Sequence, residues 1–401
     1  MRLFVIVLSL VLAVYALLSI SLGLGEPGVN SAKWCALALC PEEFSEAKAI
    51  LLIRESRERD PDATNELRRA VVQEPASAYA WADLAEGLMN ANRREEAKTC
   101  MLRAVAAGPK SPAIRLRAAN LAFQQGNNSG VLTNLRSVLQ DPDLTAYYDT
   151  IFWTYLRTGL PVSELLNQGV PAIRGVGESF LRYLIRVKQV NGTEETWAWL
   201  LRHNLSDDRI AANYVGFLLQ QKQEIQAAET WKSLNSREEP RFRESNWVYN
   251  GGFERERKPA LLDWQLDATP EVSVERENAT VNEGKWALSL SFTGNTNTDF
   301  HGLWQEVVLP PGRWTARAAI KTEGITTDEG IRLRVADQGF DLQTDSLVGT
   351  HDWTVVEQGF TIGQKDSGVV RLEIERRASR RFDNKIAGKV WIDAVEIRPS
   401  A

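Results

Sequence analysis

Histidine and cysteine, two residue types that often carry enzyme chemistry, number only three each in this chain of 401 residues. Its three histidines, His203, His301 and His351, lie far apart, and no HExxH, CxxC, GxSxG or Walker pattern occurs. Glu373 and Glu375 share one side of a predicted strand, where their Cα atoms are about 6.8 Å apart. That separation fits several roles for a carboxylate pair and identifies none. The sequence therefore predicts a protein that is not an enzyme.

Composition indicates an ordinary globular chain without a basic surface. Charged residues make up 25% and apolar residues 44%, with a formal net charge of -5. Nucleic-acid binding depends on neutralising phosphates with Lys and Arg, so we expect no nucleic-acid partner. The length exceeds what one core usually holds, which predicts two folded units and an anchor. Cys35 and Cys40 fit either a disulfide outside the cytoplasm or two unpaired apolar side chains.

The N-terminal segment is the predicted anchor. Residues 3–24 contain no charged side chain, and a helix of this length extends about 33 Å, enough for the bilayer core. We predict a transmembrane helix or uncleaved signal anchor at 1–25 and a linker at 26–43. The alternative is a cleaved signal peptide, because Ser21, Gly23 and Gly25 are small. Arg2 favours a cytoplasmic N-terminus, with the bulk of the chain in the periplasm or at the cell surface.

Residues 44–240 carry apolar side chains at helical spacing, with a period of 34 at the start. Leu84, Ala85 and Leu88 recur as Ala118, Ala119 and Ala122, and Pro75 and Pro109 end successive units. This pattern resembles the tetratricopeptide repeat, specifically over 44–142 and less closely afterwards. The resemblance implies an α-solenoid of helical hairpins whose concave surface docks a protein partner. We predict that the aromatic residues of this region belong to the core: Trp81, Tyr147, Tyr148, Phe152 and Trp153.

From Asn246 the pattern changes to short alternating segments separated by Gly, Pro, Asn and Asp. This pattern predicts an antiparallel β-sandwich, a jelly roll, over 246–401. The predicted strands lie near Ala287–Phe292, Gly302–Leu309, Arg313–Thr322, Gly330–Ala336, Thr354–Thr361, Val369–Glu375 and Lys389–Ile397.

Several short motifs of this region are similar to landmarks of carbohydrate-binding-module and galactose-binding-like jelly rolls. They are Asn250-Gly251-Gly252-Phe253-Glu254, Pro311-Gly312-Arg313-Trp314, His351-Asp352-Trp353 and Val390-Trp391-Ile392-Asp393-Ala394-Val395. The resemblance covers nearly all of 246–401, but these are scaffold residues and imply a shape more than a ligand. By analogy with the family scaffold, Trp314, Trp353 and Trp391 belong to the core.

The same resemblance implies a structural calcium where the first strand meets the last. Glu254 and Asp393 occupy the matching places and supply the oxygen ligands that calcium prefers. Two carboxylates are too few for a closed site, so backbone carbonyls would have to complete it. The alternative is a pair of capping or solvated carboxylates.

Sugar sites in such modules combine a flat aromatic ring with polar groups that bind hydroxyls. Strand alternation puts polar side chains on one side of each of four predicted strands: Trp304 and Glu306, then Arg317 and Lys321, then Arg332 and Arg334, then Arg371, Glu373 and Glu375. If these strands share a sheet, the side chains converge on a surface suited to a glycan, particularly an acidic one. The candidate ligand-binding residues are Trp304, Arg317, Arg332, Arg334, Arg371 and Glu373. The alternative is an ordinary solvated face.

These features together predict a non-catalytic, membrane-anchored adaptor of the cell envelope. Its solenoid would dock a protein and its sandwich would bind a glycan, which by resemblance points to surface-polysaccharide assembly or export. One alternative is a purely protein-binding scaffold with the sandwich as a spacer. Another is an envelope glycosidase or polysaccharide lyase, which requires a carboxylate pair beside a cleft.

Overall fold

The computed structural model describes residues 61–267, 269–364 and 368–400. The predicted anchor and linker, Cys35, Cys40 and the beginning of the first predicted repeat lie outside these residues. Of the helices within them, none combines the length and the apolar character needed to cross a membrane. The chain divides into two compact units. One holds the described residues up to Tyr183 with Glu194–Trp199, and the other holds Leu184–Thr193 with the described residues from Leu200 onward.

Helices follow one another from Pro61 to Asn235. They are α1 Pro61–Gln73, α2 Ala78–Asn90, α3 Arg94–Ala107, α4 Pro112–Gln124, α5 Asn128–Leu139, α6 Tyr148–Arg157, α7 Arg174–Arg186, α8 Val190–Arg202, α9 Asp208–Gln220 and α10 Glu224–Asn235. Between α6 and α7 lie a helical turn at Val162–Glu164 and a π-helix at Leu165–Gly169. The helical content predicted for 44–240 is therefore present in its described part.

Local sequence sets the spacing of the first helices. α2 and α4 begin 34 residues apart, at Ala78 and Pro112. Each follows a serine whose Oγ accepts a backbone N–H of the first turn, at 3.2 Å from Ser77 and 3.4 Å from Ser111. α2 packs on α3 and α4 on α5. Fully buried alanines such as Ala85 on α2 allow neighbouring helices to approach closely.

The aromatic residues near α6 divide between core and surface. Phe152 is fully buried and its ring lies 5.0 Å from that of Phe180. Tyr148 is also buried, at 7% exposed. The prediction for Trp153 was wrong, since its side chain is 52% exposed, with the Arg157 guanidinium 4.4 Å from its ring centroid. One residue along a helix turns the side chain by about 100°, which carries Trp153 from the core side to the solvent side.

The C-terminal region is an antiparallel sandwich of two five-stranded sheets. Its strands are β1 Gln265–Leu266, β2 Val272–Glu277, β3 Ala287–Thr293, β4 Phe300–Val308, β5 Gly312–Ile325, β6 Arg332–Ala336, β7 Asp341–Gln343, β8 Gly349–Ile362, β9 Val369–Arg376 and β10 Ala387–Pro399. The first sheet has the order β1-β4-β9-β6-β7 and the second β2-β3-β10-β5-β8. All seven predicted strands are present, and β1, β2 and β7 were not predicted.

The core of the sandwich lies between the two sheets. Leu303 and Leu372 of the first sheet and Ile320 and Ile392 of the second are all fully buried in it. Each such side chain contributes about 1.5–3 kcal/mol to folding. Trp314 also belongs to this core, as predicted. Two other predicted core tryptophans differ, because Trp353 is only partly buried and Trp391 is buried on the outer side, where Nε1 donates to Glu277.

Candidate functional site

Polar side chains cover the outer side of the first sheet. On β4, Leu303 and Val307 point into the core, so Trp304 and Glu306 alternate to the other side. The same alternation applies to β6 and β9. We call this surface the polar face; it is formed by Trp304, Glu306, Arg332, Arg334, Arg371, Glu373 and Glu375.

Strand register brings these residues into rows across the sheet. Trp304 of β4 pairs with Glu373 of β9, which pairs with Arg334 of β6. In the next row Glu306 pairs with Arg371. Five of the six candidate ligand-binding residues therefore lie on one surface, although β4, β6 and β9 are far apart in sequence.

Arg317 is the candidate that the structure places elsewhere. It lies on β5 in the second sheet, where Nε is 2.6 Å from Glu357 Oε1 and Nη1 is 3.3 Å from Glu396 Oε1. Lys321 lies on the same strand, with Nζ 2.7 Å from Asp352 Oδ1. The condition that all four strands share a sheet therefore fails for β5. Alternation shows which side chains share a side of one strand, but not which sheet holds that strand.

The indole of Trp304 is held in a fixed orientation. Its Nε1 donates a hydrogen bond to Asp267 Oδ2 at 3.0 Å. The guanidinium of the exposed Arg371 lies 3.9 Å from the ring centroid, a cation–π contact. Partial burial raises the pKa of the neighbouring Glu306, and the charge of Arg371 opposes that rise. The result is an aromatic ring held beside one exposed guanidinium group.

Arg334 is anchored on both sides. Its Nε and Nη2 donate to the two carboxylate oxygens of Asp341, at 2.7 and 3.1 Å, and Nη1 donates to Glu373 Oε2. The hydrogen bonds to Asp341 keep the pKa of Arg334 above its ordinary value, and those from Arg334 lower the pKa of Asp341. Arg332 is similarly occupied, being only 9% exposed and ion-paired with Glu329.

Two carboxylates of the polar face are covered by their partners. Glu373 is 2% exposed and Glu375 is fully buried. The imidazole Nδ1 of His301 lies 3.1 Å from Glu373 Oε1 and 3.4 Å from Glu375 Oε2. Sequence reasoning missed His301, Asp267 and Asp341 as members of this site. His301 is the second residue of β4, Asp267 follows the two-residue β1 and Asp341 begins the three-residue β7, so no pattern in a single sequence connects them to β9.

The two residues proposed to bind calcium cap a loop. A Cβ at Gly252 would lie 3.7 Å from both Asp393 Oδ1 and Glu254 Cγ, so the two side chains flank this glycine. Asp393 Oδ2 accepts hydrogen bonds from the backbone N–H groups of Asn282 and Glu283, at 2.9 and 3.0 Å. Glu254 Oε1 accepts from the backbone N–H groups of Lys285 and Trp286, at 2.6 and 3.0 Å. Burial raises the pKa of Asp393, and these N–H donors oppose the rise.

The donor groups around these carboxylates do not fit a calcium site. Calcium takes six to eight oxygen ligands, whereas the 282–286 loop presents N–H groups to Glu254 and Asp393. The carbonyls of Phe253 and Glu254 already accept hydrogen bonds from Arg276, at 2.6 and 2.7 Å. The Arg276 guanidinium thus already uses these two carbonyl oxygens, which a calcium ion would need as ligands. The geometry favours the alternative of capping carboxylates, and the proposed function includes no calcium.

Comparisons with known proteins identify likenesses of fold only. No protein-family model matches this chain, and no curated protein matches it. Among solved structures, the carbohydrate-binding module TmCBM61 in complex with β-1,4-galactotriose is 19% identical, with 39% of this chain and 99% of that one covered at a TM-score of 0.29. A structure described as "CBM4 structure and function" is 15% identical over 38% and 99%, at 0.28. The CBM22-2 xylan-binding domain of Paenibacillus barcinonensis Xyn10C is 12% identical over 39% and 98%, at 0.27. Identities and TM-scores this low support no inference about function. Any such inference must come from the chain's own side chains.

Proposed function

We propose that the polar face binds a glycan and that the chain is a non-catalytic, membrane-anchored adaptor of the cell envelope. The observation that carries the proposal is the pairing of Trp304 with the exposed Arg371, 3.9 Å from its ring centroid, on a sheet face that also holds Arg334 and Glu373. An aromatic surface and directional hydrogen-bonding groups on one face are what sugar recognition requires.

The chemistry of the face matches that of a sugar ring. A pyranose has an apolar C–H side that packs on an indole and hydroxyls that bond to polar groups around it. Asp267 fixes the Trp304 ring and Asp341 fixes Arg334, so little conformational entropy is lost on binding. The Arg371 guanidinium presents a planar set of donors suited to a carboxylate. These features favour an acidic glycan as the ligand.

The burial and hydrogen bonding of Glu373 and Glu375 favour a binding role over cleavage. Glycoside hydrolysis needs one carboxyl group to protonate the leaving oxygen and a second to attack or activate water. Here Glu373 and Glu375 are buried and bonded to arginines. We therefore expect no new reducing or unsaturated ends when the chain is incubated with polysaccharides. Appearance of such ends would favour the glycosidase or lyase alternative.

The helical region supplies the adaptor part of the proposal. The 34-residue spacing of helix starts and the paired packing of α2 with α3 and α4 with α5 support tetratricopeptide-like hairpins. We propose that these hairpins form a solenoid that docks a protein partner. With the predicted anchor at 1–25, this arrangement would hold the sandwich outside the cytoplasm. Surface-polysaccharide assembly or export is the setting that we propose for it.

A glycan array tests the binding proposal directly. The full chain is applied to neutral and uronic-acid-containing oligosaccharides, alongside Trp304→Ala and the second-sheet variant Arg317→Ala. We expect saturable binding that Trp304→Ala weakens at least about tenfold, the loss of one stacked ring. Arg317→Ala should bind as the wild type does. Absence of saturable binding, or equal binding by all three proteins, would leave the sandwich as a spacer in a protein-binding scaffold.

A further inference from the structure

His301, Glu373 and Glu375 form a cluster beside the polar face, and of these three the glycan proposal uses only Glu373. One ligand atom from each lies within 4.8 Å of the others. His301 Nδ1 is 3.1 Å from Glu373 Oε1 and 3.4 Å from Glu375 Oε2. Glu375 is fully buried, and its Oε2 accepts no hydrogen bond among the described residues, with the Arg334 Nε ion-paired to it at 3.6 Å. A buried carboxylate oxygen that accepts no hydrogen bond is costly even beside an ion-pair partner at 3.6 Å, which favours a ligand at this position.

The two carboxylates are oriented by arginines toward the same imidazole nitrogen. Glu373 accepts from Arg334 through Oε2 and turns Oε1 to His301. Glu375 accepts from Arg377 through Oε1, at 2.9 Å, and turns Oε2 to His301. Metal-binding carboxylates are commonly held in this way by an outer hydrogen bond, which fixes the free oxygen toward the ion.

The other ring nitrogen of His301 also has a partner suited to metal binding. Nε2 lies 3.6 Å from Asp299 Oδ1. A carboxylate beside the second nitrogen of a metal-bound histidine orients the ring and makes it a stronger ligand. Nδ1 is thereby left to face the two glutamate oxygens.

Two of the three separations match those of ligands around one small cation, and the two glutamate oxygens lie within 4.8 Å of each other. Ligand atoms about 2.1 Å from a metal are about 3.0 Å apart at octahedral angles and about 3.4 Å apart at tetrahedral angles. The observed 3.1 and 3.4 Å fall at these values. A cation of this size can therefore be accommodated with small movements of the three side chains.

The charges around the cluster favour a divalent ion. The acidic side chains here are Asp299, Asp341, Glu373 and Glu375, and the basic ones are Arg334 and Arg377. At their ordinary charges, the four acidic side chains exceed the two basic ones by two negative charges. A divalent cation would balance them and would replace the missing donor at Glu375 Oε2.

We propose that His301 Nδ1, Glu373 Oε1 and Glu375 Oε2 bind a divalent transition-metal ion, of which Zn²⁺ is the representative. An imidazole with two carboxylates suits Zn²⁺, Co²⁺ or Mn²⁺ better than calcium, which prefers oxygen alone. His301 is 45% exposed, so the remaining coordination positions open to solvent. This site does not depend on glycan binding.

Metal titration of the full chain tests the proposal without any sugar present. The chain, freed of affinity tags and stripped with a chelator, is titrated with Zn²⁺ by calorimetry and with Co²⁺ by visible absorption. His301→Ala removes one ligand, and His351→Ala removes an exposed imidazole of the second sheet as a matched control. We expect one saturable site, weakened at least about tenfold by His301→Ala and unchanged by His351→Ala. The ligand-field bands of bound Co²⁺ should disappear with His301→Ala.

Two outcomes would overturn the proposal: no saturable binding by the wild type, or wild-type affinity in His301→Ala. Because His301 is half-exposed, its truncation should leave far-UV circular dichroism unchanged, so a loss of binding is interpretable. Glu375→Gln adds a second ligand test where that variant folds. Metal binding at the N-terminal cysteines would persist in both histidine variants and so cannot imitate the expected difference.

Discussion

Asp263 shows how a single buried carboxyl group links folding to pH. Its side chain is fully buried, and its oxygens accept the backbone N–H groups of Lys258 at 2.6 Å and Trp264 at 2.7 Å. Burial raises the pKa of Asp263 to about 7, and the two N–H donors oppose that rise. An aspartate in the unfolded chain has a pKa of about 3.9. The folded state therefore holds a proton that the unfolded state releases.

This difference predicts that alkalinisation weakens the fold. A carboxyl group whose pKa is raised by folding contributes fully to the stability of the folded state below about pH 4. That contribution is lost as the pH rises through about 7. We expect the free energy of unfolding to fall between about pH 5 and 7, with a slope approaching 1.4 kcal/mol per pH unit from this group. Urea unfolding at several pH values measures it. Asp263→Asn should flatten the profile, and an unchanged slope in that variant would show that Asp263 is not responsible.

The single residues of the polar face were only partly predictable. Alternation identified Trp304, Arg371 and Glu373 as outward side chains, and the structure places them together. It gave no means of rejecting Arg317, because β5 alternates in the same way within the other sheet. His301 could not be assigned, since the glutamates that it contacts, Glu373 and Glu375, are more than 70 positions away and meet it only through sheet pairing.

At the scale of elements, one arginine joins the loops at one end of the sandwich. Arg376 at the end of β9 is fully buried, although the sequence shows it merely as one of several arginines near Ser379. Its guanidinium donates to groups of three loops: the Glu329 carbonyl, Asn297 Oδ1, Thr327 Oγ1 and the Asn384 carbonyl. Burial lowers the pKa of Arg376, and nearby carboxylates led by Glu329 oppose this.

Removing that guanidinium should loosen all three loops. Arg376→Met leaves several buried acceptors without donors, and we expect a loss of about 3–5 kcal/mol in the free energy of unfolding. The exposed Arg380 provides the control, because Arg380→Ala should change stability by less than about 0.5 kcal/mol. Denaturant unfolding of both variants measures the difference. Equal stabilities would mean that Arg376 does not hold these loops together.

The loop at 282–286 gives a prediction about calcium. Because its backbone N–H groups already satisfy Glu254 and Asp393, added Ca²⁺ should find no site there. We expect the melting temperature of chelator-stripped chain to stay within about 1 °C when millimolar Ca²⁺ is added. A rise of several degrees, abolished by Glu254→Gln, would instead establish the calcium site that the family resemblance implies.

The elements themselves were predicted better than their arrangement. All seven long strands were located because their alternation extends over five or more residues. β1 and β7 contain only two and three residues, too few to show a period, and β2 ends in the charged residues 275–277. The order of strands within each sheet depends on pairing between distant segments, such as β4 with β9, which one sequence does not encode in any local pattern.

Across the whole molecule, the helical region and the sandwich offer different kinds of surface. The helices from α1 onward supply repeated apolar faces, and the sandwich supplies one outward sheet with polar side chains fixed by ion pairs. The predicted anchor would restrict both to a membrane surface. Restriction of this kind raises the local concentration of a docked protein around a bound glycan, which is the physical advantage of an adaptor.

We propose that the outer side of the first sheet, and not that of the second, binds a glycan. Calorimetric titration of the full chain with the strongest array ligand tests it, comparing Arg371→Ala on the polar face with Arg317→Ala on the second sheet. We predict that Arg371→Ala weakens binding at least about tenfold, or about 1.4 kcal/mol, while Arg317→Ala leaves the affinity unchanged. Equal affinities for the two variants, or greater loss with Arg317→Ala, would mean that the polar face is not the glycan site.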